Sequence, residues 1–359
     1  MRQLQSFTVR LLAGANAATV ACMLLIGFSF YANPARHPLI ANVNLAFPLF
    51  LAANVAFLVF WLLFRKRMAL ITVAGLVAGY VPIRTYTPLN IGGEAPEGCI
   101  KVMSYNVFNF STWADPSEPC DILDYIKSEH PDILCLEEYG LSGWKKDMCY
   151  AVLDSMYAYS DHSNSQAGGD AIAIYSRFPI VGKEAIRYES RTNNSAAFRL
   201  VTAKGDTTTV VVNHLESTGL SPEDRTKFKS LMKGGMPRQD AEQESRRMWR
   251  KLGEASARRA PQADAVAEYV ARHKDRSLIL VGDFNDSPLS YVHHKLASEL
   301  TDCYVQTANG PGISYHYNNF YVRIDNIMCS SHWTPYQCRV DSRVKGSDHY
   351  PITCLLKRN

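Results

Sequence analysis

Long runs of uncharged, mostly apolar residues dominate the N-terminal part of the chain. Leu11 to Tyr31 is a run of 21 residues, and Leu39 to Phe64 is a run of 26. Because about 20 apolar residues cross a hydrocarbon core of about 30 Å, each run is long enough for a membrane-spanning helix. A third run, Met68 to Ile83, has 16 residues and contains two glycines and a proline. We predict three spans, 11–31, 39–64 and 68–83, within a membrane segment covering residues 1–87. The later runs favour a retained anchor over a cleaved signal peptide.

The pattern changes after residues 88–98, a stretch with Pro and Gly that we interpret as a linker. Short apolar runs then recur, and helical periodicity lies between some of them, as at 120–129 and 260–272. This alternation predicts one α/β domain with a sheet core over residues 99–359. The candidate strands are Cys99–Val107, Asp132–Glu137, Ala171–Tyr175, Thr208–Asn213, Leu278–Gly282, Ile324–Cys329 and Ile352–Leu356.

Residues 221–276 differ from the rest of this domain in their charge. They hold 14 Lys or Arg and nine Asp or Glu, a net charge of +5. The sequence Ser221-Pro222-Glu223-Asp224 is typical of a helix start, so we predict one or two helices inserted between strands. The interspersed acids favour a solvated helical face. A surface that meets anionic phosphates or a membrane is the alternative.

Charge separates the membrane segment from the domain that follows it. Residues 1–98 contain seven Lys or Arg and two acids, net +5, whereas the remainder has 31 basic and 32 acidic residues, net −1. Arg2 and Arg10 precede the first run, and the basic triplet 65–67 follows the second. The positive-inside rule therefore puts the N-terminus and the triplet in the cytoplasm. With three spans the C-terminal domain lies outside the cytoplasm, and with two it lies inside. We expect three spans in a bacterial-type inner membrane.

Polar residues with catalytic chemistry recur where predicted strands meet loops, which is where α/β proteins gather their sites. Carboxylate and amide oxygens suit Mg²⁺, with Mn²⁺ as the alternative. No Cys/His pair has zinc-ligand spacing, and there is no Walker A loop or G-x-S-x-G motif. We therefore predict metal-assisted attack of water on a phosphoester, helped by Asp and His. The residues are Asn106, Glu137, Glu138, His214, Asp283, Asn285, Asp286, Asp325, Ser347, Asp348 and His349.

The ordered set SYNV, LCLEE, GDAIAIYSRFPI, VNHLES, GDFND, RIDNI and SDHYPI resembles the endonuclease/exonuclease/phosphatase superfamily over residues 99–358. That superfamily has the DNase I-like fold and includes deoxyribonucleases, apurinic endonucleases, neutral sphingomyelinases and inositol polyphosphate 5-phosphatases. The resemblance implies a four-layer α/β sandwich, here preceded by the transmembrane helical segment.

The resemblance also implies roles for the matching residues. It puts Asn106, Glu138 and Asp348 at the metal, with Glu138 as the main ligand. The implied catalytic roles are water activation by Asp283, phosphate binding by Asn285, proton donation by His214, a second imidazole at His349, and orientation of His349 by Asp325.

Two positions of this chain depart from the superfamily pattern, and a third matches it. Glu137 stands where the family usually has Gln, so it either adds charge near the metal or joins a hydrogen-bond network. Phe108 stands where apurinic endonucleases carry a metal-side Asp, which argues against that subgroup. Arg177 occupies a family-typical position, for which we predict a structural role.

The membrane segment favours a phosphodiesterase or phosphatase that acts on lipid headgroups or other phosphoesters near the bilayer. A membrane-bound nuclease is the second hypothesis. The near-neutral domain argues against it because duplex binding usually needs a basic face, but residues 221–276 keep it open. A non-catalytic membrane scaffold is the third hypothesis, and the occupied catalytic positions argue against it.

Cysteine placement bears on the compartment. Cys135, Cys329 and Cys354 fall in predicted core strands, where a free cysteine packs as a small apolar group. Outside the cytoplasm, disulfides are permitted. The candidates nearer to loops are Cys120, Cys149, Cys303 and Cys338.

Overall fold

The structure is a computed structural model that describes residues 2–165, 171–202, 205–219, 221–232, 234–317 and 320–359. Its helices are α1 (Arg2–Gly27), α2 (Phe47–Phe64), α3 (Ala69–Ala78), α4 (Tyr80–Tyr86), α5 (Asp121–Glu129), α6 (Gly143–Met156), α7 (Pro222–Met232), α8 (Arg238–Arg272), α9 (Tyr291–Leu296) and α10 (Cys303–Thr307). Its strands are β1 (Ile100–Asn106), β2 (Ile133–Glu137), β3 (Tyr159–Asn164), β4 (Ala171–Ser176), β5 (Ile180–Ile186), β6 (Asn194–Val201), β7 (Thr207–His214), β8 (Leu278–Asp283), β9 (Thr301–Asp302), β10 (Asp325–Cys329), β11 (Trp333–Val340) and β12 (Ile352–Arg358).

Two helical segments of the N-terminal part, Phe7–Tyr31 and Val43–Phe64, are long and apolar enough to cross a membrane. A third candidate is the pair α3 and α4, which is bent by 66°. The predicted span at 68–83 is therefore not one continuous helix. The break falls at Gly79, three residues before Pro82, which lacks the N–H that a continuous helix requires.

The second predicted span also begins later than the apolar run does. Residues 32–46, here called the connecting loop, join α1 to α2 and end in a short 3₁₀ turn at Val43–Ala46. Helix α2 begins at Phe47 with Pro48 in its first turn, where the missing N–H carries no cost. Asn42 and Asn44 in the loop are buried, which hydropathy alone does not anticipate.

A buried polar network joins the three long N-terminal helices α1, α2 and α3. The Oδ1 atom of Asn16 in α1 accepts hydrogen bonds from Trp61 Nε1 at 3.0 Å and Thr72 Oγ1 at 2.8 Å. Its Nδ2 atom donates to Asn54 Oδ1 at 3.3 Å. Within a bilayer, hydrogen bonds and close packing hold helices together, because lipid tails are as apolar as the helix surfaces. This one asparagine therefore links α1 to α2 and α3.

Within the described residues, twelve strands form two six-stranded sheets. The first has the order β11-β12-β1-β2-β4-β3, and the second has the order β5-β6-β7-β8-β10-β9. The central pairs β1–β2 and β7–β8 are parallel, whereas the flanking pairs are antiparallel. The carboxyl ends of the two parallel pairs are the positions from which the site is built.

Three apolar clusters define the layers of the C-terminal domain. The first fills the space between the sheets, with Val102 and Ile133 facing Phe198 and Val212. The second packs α5 and α6 on the first sheet, and the third packs α8 and α9 on the second. The predicted four-layer α/β sandwich is confirmed.

Residues 221–276 form α7 and α8, and the second half of α8 is the outer layer of the sandwich. Ala263, Val266 and Val270 of α8 pack against the second sheet. Charges nearer the start of this segment are paired within it, since Arg247 and Lys251 contact Asp224 at 2.7 and 2.6 Å. The segment is therefore part of the domain core as well as a charged face.

The connecting loop is hydrogen-bonded to the C-terminal domain. Ser287 Oγ donates to Asn44 Oδ1 at 2.8 Å, and Ser256 Oγ donates to Asn42 Oδ1 at 3.3 Å. Trp249 Nε1 donates to the Leu39 carbonyl at 2.9 Å. The connecting loop and the sandwich thus share a polar, partly buried contact surface.

We predict that Asn16→Leu lowers the free energy of unfolding of the full chain by about 1 to 3 kcal/mol. The substitution leaves the Trp61 and Thr72 donors buried without their acceptor. The midpoint of thermal unfolding in detergent measures the effect. Leu25→Ala on the same helix is the control, because Leu25 is 75% exposed. Equal midpoints for Asn16→Leu and the unmodified chain would contradict the network's role.

Candidate active site

Strand ends from both sheets meet at one edge of the sandwich. Asn106 at the end of β1 pairs with Glu137 at the end of β2. His214 at the end of β7 pairs with Asp283 at the end of β8, and Asp283 also pairs with Asp325 at the start of β10. The register therefore brings together residues that lie far apart in the sequence.

Asp283 is the hub of this cluster. Its Oδ2 atom accepts hydrogen bonds from Asn106 Nδ2 at 3.1 Å and Asn285 Nδ2 at 3.3 Å, and its Oδ1 atom accepts one from the Asn285 backbone N–H at 2.7 Å. Burial raises the pKa of Asp283, His349 opposes that rise, and the pKa reaches about 7. A carboxylate with this pKa is suited to accept a proton near neutral pH.

Unusual backbone geometry aims the site residues. Gly282 has φ 128°, and a Cβ atom there would lie 1.9 Å from the Asn213 carbonyl oxygen, so only glycine fits. Asn285 and Glu138 both adopt left-handed backbone, with φ 52° and 50°. Such conformations cost energy and cluster at functional sites. The turns after β8 and β2 are therefore strained where they present side chains to the pocket.

His349 and Asp325 form a buried pair beside Asp283. His349 Nδ1 lies 2.9 Å from Asp325 Oδ2, and His349 Nε2 lies 3.7 Å from Asp283 Oδ2. Burial lowers the pKa of His349, but the Asp325 and Asp283 carboxylates outweigh it and hold that pKa well above its usual value. His349 is therefore an imidazolium that Asp325 orients.

His214 is a buried imidazole of opposite character. Its Nε2 atom lies 3.8 Å from both Glu138 Oε1 and Asp283 Oδ2. Burial, with a smaller contribution from His349, lowers the pKa of His214 to about 3. Among the described residues, neither ring nitrogen has a hydrogen-bond partner. The ring is neutral and its polar atoms remain available to a bound group.

The two asparagines predicted to touch metal and phosphate are engaged with the carboxylates. Asn106 Nδ2 bridges Asp283 and Glu138 Oε1, at 3.1 Å from each, while its Oδ1 atom accepts from the Phe108 N–H. Asn285 Nδ2 donates to Asp283 and to the Leu215 carbonyl. In this arrangement both asparagines position Asp283, and neither amide group is without partners.

The predicted metal ligands Glu138 and Asp348 line the same pocket as Asp283. Asp348 Oδ1 is buried and has no hydrogen-bond partner in the described part of the chain. Donor atoms of Asp283, Asp325 and His349 also lie within 4.8 Å of one another, close enough to hold a metal ion. The site thus combines carboxylate oxygens, which suit a hard divalent cation, with an imidazole already paired to a carboxylate.

Glu137 is fully buried, and it is not among the described residues that line the pocket. Its Oε1 atom accepts a hydrogen bond from Ser104 Oγ at 2.8 Å, and its Oε2 atom has no partner in the described part of the chain. Burial and then Asp325 raise the pKa of Glu137 well above its usual value, which the Ser104 hydrogen bond only partly opposes. Of the two alternatives left by the sequence, the structure favours the buried hydrogen bond over added charge near the metal.

The pocket has a volume of about 340 Å³ and includes residues that sequence reasoning missed. Asn42 and Leu45 come from the connecting loop, and Leu252 and Arg259 come from α8. No motif marks them, since they belong to a hydrophobic run and a charged helix. The remaining lining residues include Phe108, Asp286, Ser287, Tyr315, Phe320, Val322 and Ile324.

Two further predictions concern residues outside the pocket. Arg177 pairs with Asp132 at 2.8 Å, just before β2 begins and at the opposite end of that strand from Glu137, in line with a structural role.

All nine cysteines, including the disulfide candidates Cys120, Cys149, Cys303 and Cys338, are free thiols in the described structure.

We predict that Glu137→Gln and Glu138→Gln have opposite consequences although the residues are neighbours. Glu137→Gln replaces a buried carboxyl with a neutral amide of the same shape, so the free energy of unfolding stays within about 1 kcal/mol. Glu138→Gln removes a pocket carboxylate, so added Mg²⁺ no longer raises the midpoint of thermal unfolding. Loss of the Mg²⁺ effect in Glu137→Gln would contradict this assignment.

Comparison with known proteins identifies family matches for both parts of the chain. Residues 103–349 match the model of the Endonuclease/Exonuclease/phosphatase family, and residues 9–86 match a domain of unknown function, DUF8431. No curated protein matches the chain.

Among solved structures, an endonuclease/exonuclease/phosphatase from Beutenbergia cavernae is 17% identical with a TM-score of 0.54, covering 73% of this chain and 72% of that one. The human Nocturnin catalytic domain with bound sulfate is 19% identical with a TM-score of 0.50, covering 73% and 94%. These likenesses show the fold. The family model spans more than half of the sequence, and the chain belongs to the endonuclease/exonuclease/phosphatase family.

Proposed function

We propose that this chain is a membrane-anchored, divalent-cation-dependent phosphoester hydrolase. The observation that carries the proposal is the buried carboxylate of Asp283, which lies beside the His349–Asp325 pair in the pocket. Attack by water requires a base, and a carboxylate with a pKa near neutrality can serve as one. Departure of an alcohol requires a proton donor, and the adjacent imidazolium can serve as that donor.

A divalent cation fits the donor set of the pocket. Glu138, Asp283, Asp286 and Asp348 all line it, and Arg259 neutralises only Asp286, at 3.2 Å. A phosphoester anion would be repelled by the remaining carboxylates unless a cation were present. We propose Mg²⁺, held by Glu138 and Asp348 with Asn106 orienting Glu138. When bound, the ion neutralises and polarises the phosphoryl group.

The chain's own groups then divide the proton transfers. Asp283 accepts a proton from the attacking water, and Asn106 and Asn285 hold its carboxylate in position. His349, oriented by Asp325, supplies positive charge at the phosphoryl oxygens and the proton that the leaving-group oxygen takes up as its bond to phosphorus breaks. His214, neutral and with both nitrogens available, donates one hydrogen bond to the phosphoryl or leaving-group oxygen.

The contacts of the connecting loop support three membrane crossings. The loop is hydrogen-bonded to Ser256 and Ser287 of the C-terminal domain, so both lie on the same side of the membrane. The basic triplet 65–67 lies at the opposite end of α2, and the chain must therefore return through α3 and α4. Together with the positive-inside rule, this favours an extracytoplasmic C-terminal domain.

We predict that Asp283→Asn and His349→Ala each reduce Mg²⁺-dependent hydrolysis of bis-4-nitrophenyl phosphate by at least about 100-fold. Each substitution removes one proton-transfer group and leaves the cation ligands Glu138 and Asp348. The full chain in detergent is assayed with Mg²⁺ and with EDTA. Asp147→Asn and His162→Ala, both exposed, are the matched controls and keep activity within about twofold.

The same assay separates the alternative functions when plasmid DNA, sphingomyelin and phosphoinositides are added as substrates. Turnover of DNA far above that of lipid would make the chain a membrane-bound nuclease. A folded protein without metal-dependent turnover of any phosphoester would refute the hydrolase proposal.

We predict that the C-terminal domain lies outside the cytoplasm and that residue 66 lies inside it. Thiol labelling in a Cys99→Ser background tests this orientation. An Asp147→Cys variant reacts with a membrane-impermeant maleimide in intact cells, because Asp147 is exposed on α6. A Lys66→Cys variant reacts only after permeabilisation, because residue 66 lies between α2 and α3. The reverse pattern would refute an extracytoplasmic domain, and equal labelling of both sites in intact cells would refute three crossings.

A further inference from the structure

One wall of the catalytic pocket belongs to the membrane segment. Asn42 and Leu45 of the connecting loop line the same cavity as Asp283 and His349. The family match begins at residue 103, so this wall is supplied by a part of the chain outside it. The substrate pocket is therefore a joint product of the two segments.

Buried polar contacts fix this wall in place. Ser287 lies just after β8, four residues beyond Asp283, and its Oγ atom donates to Asn44 Oδ1 at 2.8 Å. Arg259 is 1% exposed and bonds Asp286 and Ser256, and Ser256 in turn donates to Asn42. The chain of bonds runs from the turn after β8 to the loop, so the wall is a built part of the site.

The wall is also continuous with a membrane-spanning helix. The apolar segment long enough to cross the bilayer is Val43–Phe64, and Leu45 is its third residue. Phe47, two residues further on, packs with Met23 of α1 and Leu289 of the C-terminal domain. The pocket therefore includes the N-terminal end of the apolar segment that we propose to cross the membrane.

Apolar side chains from the connecting loop and from the C-terminal domain line the pocket. Leu45 is 40% exposed and shares the lining with Leu252, Phe320 and Val322. Phe320 stacks on Phe228 with ring centroids 4.0 Å apart, which fixes its position. Among the described lining residues the one Lys or Arg is Arg259, which is buried and paired. The lining therefore suits one phosphoester group with a hydrocarbon chain better than a polyanion.

We propose that the substrate is a lipid phosphoester of the bilayer, whose phosphate reaches Asp283 while the first part of its hydrocarbon chain lies against Leu45, Leu252 and Phe320. The inference rests on the proposed hydrolase function and adds the substrate class. Leu45 is then a specificity-determining residue, because it contacts the hydrocarbon chain of the substrate and takes no part in proton transfer.

The test uses two chromogenic phosphodiesters with the same leaving group, methyl 4-nitrophenyl phosphate and hexadecyl 4-nitrophenyl phosphate. The full chain is assayed in one detergent at fixed micelle concentration. Each buried methylene strengthens binding by about fourfold, so kcat/KM for the hexadecyl ester exceeds that for the methyl ester by at least about tenfold. Leu45→Asn lowers this ratio by at least about fivefold.

Leu39→Asn is the matched control, because Leu39 lies in the same loop, is 63% exposed and does not line the pocket. It keeps the hexadecyl-to-methyl ratio of the unmodified chain. Phe320→Ser repeats the test at an apolar lining residue of the C-terminal domain and lowers the ratio, which covers the case of an unfolded Leu45→Asn variant.

The outcomes separate this inference from the function on which it rests. Hydrolysis of both esters with a ratio near one, or a ratio that neither wall variant changes, would refute the lipid substrate and leave the hydrolase intact. Absence of turnover of both esters, in protein that unfolds cooperatively, would refute the hydrolase and the inference together.

Discussion

The hydrogen bonds between the connecting loop and the C-terminal domain constrain the whole molecule. Ser287 and Ser256 donate to Asn44 and Asn42 in a buried setting, where an unpaired amide oxygen would cost about 1 to 3 kcal/mol. These contacts join the N-terminal helices to the domain that holds the pocket, so the placement of the helices and the integrity of the pocket depend on each other. With the membrane crossings that we propose, the same four polar side chains put the connecting loop and the domain on one side of the bilayer.

The α/β domain was predicted from its repetitive short apolar runs, and the four-layer sandwich from the resemblance to the superfamily. Polar strands such as β3, with the sequence YSDHSN, were not recognised. Residues such as Asn106, His214 and Asp283 follow the apolar runs at strand ends, where parallel register brings them together. The breaks in the membrane segment were harder to predict. Hydropathy averages over 39–64 and 68–83, so it did not detect that Asn42 and Asn44 leave the apolar run or that Gly79 and Pro82 bend the third.

The wall of the pocket could not be predicted from the sequence at all. Asn42 and Leu45 stand in a hydrophobic run, and Leu252 stands in a charged helix, so their local patterns indicate a membrane span and a solvated surface. Their meeting depends on how α8 packs on the second sheet and how the connecting loop turns. Long-range packing of this kind leaves no local signal, and only the coordinates reveal it.

The close approach of α8 to the connecting loop has a consequence for how the molecule divides. A Cβ atom at Gly253 would lie 2.5 Å from the Pro38 carbonyl oxygen, so helix and loop touch through backbone. Removing residues 1–87 by a cut within 88–98 would expose this glycine and the Ser256 and Ser287 hydroxyls, and the pocket would lose Asn42 and Leu45 from its lining. The linker is thus a boundary in sequence only, and a fragment that keeps the complete pocket wall includes the connecting loop.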